Sequence, residues 1–359
     1  WVKTIDRKLY VFNKVTECFH AVYDDMKNYS ENIQVIKLQN TAEGDVLLLT
    51  KDKNLLLAGV DEKGQVTIKI LFDSRDEINK HDYTLKHHVL CETEEYISWI
   101  GTDYKVSAVH KGAELASRPA DFITSKINSG DKDSFTSFFE DGRKVWVGDR
   151  AGIFYSIDVR TGLVNRYVLS EIKGAISNLL VTPAGYVYLS VAGQGTYEYD
   201  LAERRLQKIN TEMNDAMVTH AFIDQYDKIW FHENEKALIY YDPLNHTAKR
   251  FPFTMFGKIT TLYSEDAGER GLFFLSPAGE AWLFDREHAE MVYINKLKQL
   301  SNDRANQQFY HLMLDNDGVL WLSSADEGVY CMNFPKKQFN LLSLSPQSAG
   351  QENYTIGVR

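Results

Sequence analysis

Apolar residues in this chain come in short runs, of which Val46–Thr50 and Leu272–Ser276 are typical, separated by clusters of turn-forming residues. Runs of that length with polar positions alternating through them read as strands. Between residues 135 and 169 four follow one another: Phe135–Phe139, Lys144–Gly148, Gly152–Asp158 and Asn165–Leu169. Glu140-Asp-Gly, Asp149-Arg-Ala-Gly and Arg160-Thr-Gly punctuate them as tight turns. Helical periodicity is nearly absent. Glu287–Gln299 shows the most of it and reads as a decorated loop.

The four-strand pattern repeats. Each unit has a strand led by an aromatic, a turn, and a second strand ending in Asp or Asn. The copies run from Trp1 to Asn13, Trp146 to Asp158, Tyr188 to Asp200, Trp230 to Asp242, Phe273 to Asp285 and Trp321 to Asn333, always 12 residues apart. Two further units, led by Leu47 and by Trp99, keep the first strand and lose the Asp or Asn. The average period is about 46 residues, within the range of repeat architectures. A four-stranded sheet cannot bury both faces alone, and radial stacking of such sheets solves that. The fold class expected is therefore all-β, a β-propeller of four-stranded antiparallel blades. Eight units are counted, or seven blades if one terminal unit belongs to a neighbouring domain. The first unit lacks an innermost strand, and the strand-like segment 353–358 would supply it and close the ring. The whole of 1–359 is then one propeller domain. The leading aromatics are expected between blades.

Composition adds exclusions. Of 359 residues, 44% are hydrophobic and 13% aromatic, which suits pleated, half-buried surfaces. The net charge of −10, with both signs mixed along the chain, offers no basic patch for a nucleic acid. Cys18, Cys91 and Cys331 lie far apart and form no ligand or disulfide pattern. No apolar run reaches the roughly 18 residues of a membrane span. The start on Trp1 and the strand-like end at Tyr354–Arg359 suggest a piece of a longer protein.

Asp315-Asn-Asp-Gly-Val-Leu-Trp-Leu-Ser-Ser followed by Glu327-Gly-Val-Tyr-Cys-Met-Asn shows the repeat in full, as does Val145-Trp-Val-Gly-Asp-Arg-Ala-Gly-Ile-Phe-Tyr-Ser-Ile-Asp with Thr161-Gly after it. These motifs resemble the two-component regulator propeller repeat, over the whole chain, with the second and third units degenerate. The resemblance implies a periplasmic sensor domain of a hybrid histidine kinase, the ectodomain of an inner-membrane protein of a gram-negative bacterium. It also implies neighbouring propeller and immunoglobulin-like domains, and a ligand derived from polysaccharide. The Gly-His with Trp-Asp, Gly-Gly, and Ser-x-Asp-x-Gly-x-Thr-Trp signatures of other propeller families are missing.

No nucleophile elbow, phosphate loop, zinc-protease helix or dinucleotide fingerprint occurs. His81, His87 and His88 lie close to Asp82 and Cys91, but His87 and His88 point to opposite faces if they share a strand. No metal site, cofactor or catalytic residue is expected. Registering the units on the turn before the leading aromatic gives an innermost-strand column of Lys37, Val89, Thr136, Asn178, His220 and His311, with Thr261 joining if two residues loop out. Polar groups converging on a concave site suit a sugar or another small polar ligand; they equally hydrate an unused channel. Tyr104, Phe139 and Tyr263 stand off the core column and would stack on a sugar ring or fill blade edges.

Three functions follow. The first is a non-catalytic sensing or interaction module for an oligosaccharide or other small polar ligand. The second is a polysaccharide lyase or hydrolase, which would need paired carboxylates beside the column. The third is a propeller that binds only protein, as one half of a homodimer.

Overall fold

A computed structural model describes residues 1–4, 8–14, 16, 18–22, 35–41, 44–50, 55–61, 63–72, 89–92, 96–100, 106–110, 135–141, 143–209, 218–256, 263–266, 271–276, 279–296, 309–315, 317–324, 328–333, 338–342 and 355–358. The described elements are strands apart from one 3-10 turn, Phe253–Phe256. They form eight antiparallel sheets, seven of four strands and one of three. These are propeller blades, and the chain divides into two compact units: Trp1–Glu77 with Thr261–Arg359, and Ile78–Thr260.

The first unit holds blades 1, 2, 7 and 8. Blade 1 comprises Val2–Thr4, Leu9–Asn13 and Cys18–Ala21, with Thr355–Val358 paired to its first strand in the register Val2 opposite Val358. Blade 2 runs Val35–Asn40, Val46–Thr50, Leu55–Val60 and Val66–Phe72. Blade 7 runs Tyr263–Asp266, Leu272–Leu275, Glu280–Asp285 and Glu290–Lys296. The last of these corrects the loop expected at Glu287–Gln299. Its run pairs along Glu280–Asp285, and cross-strand packing of Tyr293 on Trp282 prevails over the weak helical spacing. Blade 8 runs Phe309–Leu314, Val319–Ser324, Gly328–Asn333 and Gln338–Leu342.

The second unit holds blades 3 to 6. Blade 3 comprises Val89–Glu92, Tyr96–Ile100 and Val106–His110. Blade 4 runs Phe135–Glu140, Lys144–Asp149, Ile153–Asp158 and Val164–Val168. Blade 5 runs Ile176–Val181, Tyr186–Val191, Gly195–Asp200 and Arg205–Lys208. Blade 6 runs Val218–Ile223, Ile229–Glu233, Ala237–Asp242 and Thr247–Pro252. The first strands of these blades stand side by side.

Alternation along the second strand divides the core between blade faces. In blade 4, Val145 and Val147 pack with Tyr155 and Ile157 on one face, while Trp146 and Phe154 pack with Leu189 and Tyr199 of blade 5 on the other. Tyr188 does the same against Phe231 and Tyr241 of blade 6, and Phe273 against Leu322 and Tyr330 of blade 8. Each such aromatic contributes roughly 1.5–3 kcal/mol by leaving water.

The repeat's polar positions are accounted for by turns. Asp224 Oδ1 accepts the backbone N–H groups of Tyr226 and Lys228 while its Oδ2 accepts the Trp230 indole N–H at 3.1 Å. Asp141 and Trp146 repeat this bond at 2.7 Å, and Asp315 and Trp321 at 2.6 Å. In blade 5 the leading aromatic is a tyrosine, without an N–H, and the turn residue is Thr182, whose hydroxyl accepts the Tyr186 N–H. The closing Asp or Asn caps the last hairpin. Asp158 accepts from the N–H of Arg160 and Thr161, Asp200 from Ala202 and Glu203, and Asp285 from Glu287 and His288. The constant spacing of 12 is thus one strand pair held between two side-chain-capped turns.

Candidate functional site

Every described first strand of blades 2, 4, 5, 6 and 8 carries a β-bulge near its start, after Val35, Phe135, Ile176, Val218 and Phe309. A bulge re-aims the following side chain. Two residues after each of these positions, the chain re-enters the ladder opposite the residue two beyond the one that leads the unit, Leu47 in blade 2 and an aromatic in the others. The pairs are Lys37 with Leu49, Ser137 with Gly148, Asn178 with Ser190, His220 with His232, and His311 with Ser323. In blade 7 the same register pairs Tyr263 with Leu275.

This register revises the column. The first hairpin of blade 4 is one residue shorter than its counterparts, with Phe139 opposite Trp146, where Phe222 lies opposite Trp230. Ser137 therefore holds the place assigned to Thr136, and Thr136 sits at the bulge. Val89 pairs with Ile100, one residue past Trp99, and stands one place off as well. Tyr263 occupies the blade 7 place for which Thr261 was expected; Thr261 lies outside the described residues, as does Tyr104. The strands place the backbones of Lys37 and His311 in register; their side chains are outside what the structure describes. Phe139 is half-buried against the cores of blades 4 to 6 and fills a blade edge.

The side chains described at this level differ in how they are engaged. The Thr136 hydroxyl lies 2.7 Å from the Ile176 carbonyl of the next blade and 3.3 Å from that of Gly148. Asn178 donates to the Val218 carbonyl of the next blade at 2.7 Å. Both therefore latch one blade to the next. Ser177 and Thr219, at the bulge position, turn back to the carbonyls of Ser190 and His232 in their own blades. Gly148 makes close approach possible, because a Cβ there would stand 2.4 Å from Ser137 Oγ and 2.7 Å from Ile176 Cγ2.

His220 differs from these. It is exposed, and its ring stacks beside Phe222 at 6.0 Å and stands edge-on to His232 at 5.6 Å. His232 is 4% exposed, and its Nε2 has no hydrogen-bond partner among the described residues; Ser137 Oγ and Ser323 Oγ share that condition in blades 4 and 8. Burial, and then the neighbouring His220, hold the His232 imidazole down at about 3. Although its ring reaches solvent, partial desolvation by the atoms crowded around it also lowers His220. At neutral pH the pair is two uncharged imidazoles. Glu233, next in sequence, is committed elsewhere: it is buried and paired with Arg250 at 2.9 Å and Lys236 at 3.6 Å. No group of three or more His, Cys, Asp or Glu among the described residues is disposed around a common point.

His232 escaped sequence reasoning because attention to one strand column omits the partner across the hairpin. The signal was available: His220 is four residues before Asp224 and His232 two after Trp230, so the turn that fixes the hairpin also pairs them. The same rule of four residues before the turn Asp or Thr selects Ser137, which precedes Asp141.

No protein-family model and no curated protein matches the chain. Solved structures do. The C-terminal WD40 domain of Sif2 is similar with a TM-score of 0.61 at 11% identity, over 99% of this chain and 92% of that one. A streptogramin B lyase is similar at 0.53 and 11% identity, over 82% and 91%. The extracellular domain of BT4673 from B. thetaiotaomicron, named as a one component system, is similar at 0.51 and 10% identity; 97% of this chain matches 52% of that one. What these likenesses establish is the fold, and the chain is a β-propeller.

Proposed function

We propose that this propeller is a non-catalytic ligand-sensing module, the periplasmic part of a hybrid two-component sensor kinase, responding to an oligosaccharide released from a polysaccharide. The observation that carries the reading is His220. It is exposed and neutral on a first strand whose neighbours Thr136 and Asn178 are tied to the next blade. An exposed, uncharged imidazole beside the Phe222 ring suits a polyhydroxylated ligand, which needs hydrogen bonds and an apolar ring face. The two-component repeat signature supports the sensor role, and the shared fold of the BT4673 extracellular domain is in keeping with it. Ligand contacts would favour one packing of this domain on its neighbours or on a homodimer partner, and that bias would pass to the kinase.

The test is a thermal-shift screen of chelator-treated protein against plant, host and microbial oligosaccharides. A ligand that binds the folded state raises the melting temperature by mass action. The reading expects a hit that His220→Ala abolishes and that is recovered unaltered by chromatography. Cleavage of the sugar would replace it with an enzyme, and silence across the panel would leave a protein-binding propeller.

A further inference from the structure

We infer that the cross-strand pair His220 and His232 in blade 6 is a binding site for one transition-metal cation of the zinc or copper type. The argument starts from the pairing. Residues directly opposite in an antiparallel ladder share a face, with Cβ atoms about 4.5–5.5 Å apart. His220 and His232 are opposite, and their ring centres are 5.6 Å apart. Two imidazoles sharing a tetrahedral ion, at metal–nitrogen distances of about 2.0–2.1 Å, have ring centres about 5 to 5.5 Å apart. The pair therefore stands near its chelating separation.

The chemistry of the two side chains agrees. Imidazole nitrogen is the commonest protein ligand for such ions. His232 Nε2 is a buried polar atom with no partner among the described residues, a condition that costs about 1–3 kcal/mol unless something satisfies it. His220 is exposed and gives an ion its way in from solvent. Phe222 lies within 6.3 Å of His232 and 6.0 Å of His220, and its ring screens the pair on one side. Imidazole donors select zinc, copper and nickel over magnesium or calcium. With Glu233 held by Arg250, the described residues supply two ligands, and solvent or an incoming ligand takes the remaining positions. Such a site is open, of moderate affinity, and competent to carry a further ligand. The inference does not depend on the sugar reading, because the ion is tested with no sugar present.

The experiment is titration of chelator-treated protein with ZnCl2, followed by calorimetry and by long-range proton–nitrogen NMR of the histidine rings. One ion per chain is expected, with the ring nitrogens of His220 and His232 shifting together while the other histidines stay. His220→Ala, which removes an exposed side chain, should weaken binding by more than the roughly tenfold that loss of an outer-shell partner costs. His288→Ala, which removes an exposed imidazole paired with Asp285 in the other unit, should leave the affinity unchanged. The NMR reading needs no variant, so it stands even if a substitution disturbs the fold. Zinc that moves other histidine signals, binding unaltered by His220→Ala, or no binding at millimolar zinc would each overturn the assignment.

Discussion

The bond between Asp224 and Trp230 offers the sharpest test of how the repeat holds its blades. Asp224 is 3% exposed and Trp230 is fully buried, and the carboxylate accepts three N–H groups, two from the turn and one from the indole. In Asp224→Ala, the indole N–H is left in an apolar core, at about 1–3 kcal/mol. The two turn N–H groups lose charge-assisted bonds but sit near solvent, at about 1 kcal/mol each. The sum is about 3–5 kcal/mol. Trp230→Phe keeps most of the ring, removes the donor, and should cost about 2–4 kcal/mol through the smaller side chain and the unpaired carboxylate oxygen.

The two losses share one bond, so the double variant should be more stable than their sum by about 1–3 kcal/mol, where unlinked sites add to within about 0.5 kcal/mol. The assay is urea unfolding of the four proteins, comparing midpoints at constant m. Blade 5 is the internal control. Thr182 serves the turn as Asp224 does, but the Tyr188 hydroxyl goes to Glu198 at 2.9 Å, so Thr182→Ala with Tyr188→Phe should be additive. Additivity in blade 6, or coupling of equal size in blade 5, would refute the account of the Asp and Trp columns as one device.

Three further outcomes follow from the same structure. Because His232 is held down at about 3 against 6.5 in the unfolded chain, the unfolded state binds more protons between those values; stability is full above pH 6.5 and falls as the pH drops. From pH 6.5 to 5 the loss is about 2 kcal/mol at most, measured as the unfolding midpoint, and His232→Gln should flatten that part of the slope; an unchanged slope would place the titration elsewhere. Gly148→Ala drives a Cβ into Ser137 and Ile176 and should cost about 1–3 kcal/mol, whereas Ser323→Ala, which removes a buried hydroxyl without a partner, should be neutral or stabilising in the same melt. Glu198 is 6% exposed and accepts the hydroxyls of Tyr188 and of Tyr241 in the next blade at 2.9 and 3.4 Å. Burial first, and then this carboxylate, push both phenols up; Glu198→Gln should therefore bring an alkaline absorbance titration of tyrosine to lower pH, and Glu198→Leu should cost about 2–4 kcal/mol.

How far the sequence could be read depended on which interactions were local. The aromatic and the Asp or Asn 12 residues later are ends of one hairpin, and the turn Asp lies five or six residues before its Trp, so spacing alone carries blade, turn and core face. Blade 7's outer strand was hidden because Glu290–Lys296 takes its identity from Tyr293 packing on Trp282, a contact its own periodicity does not encode. The candidate site was legible in half. His220 follows from counting back along one strand, but Thr136 entered in place of Ser137 because the blade 4 turn is one residue shorter, and a slip of one residue exchanges the two faces of a strand. The engagement of Asn178 with Val218, which separates a latch from a free side chain, runs 40 residues along the chain into another blade. No local pattern reports a bond of that kind, whereas the pairing of His220 with His232 is local and awaited only the count across the turn. The pair and its tied neighbours thus follow from the same bulge: it leaves each strand's second residue out of the ladder and returns the third to it, and the next blade decides whether a carbonyl is there to receive either side chain.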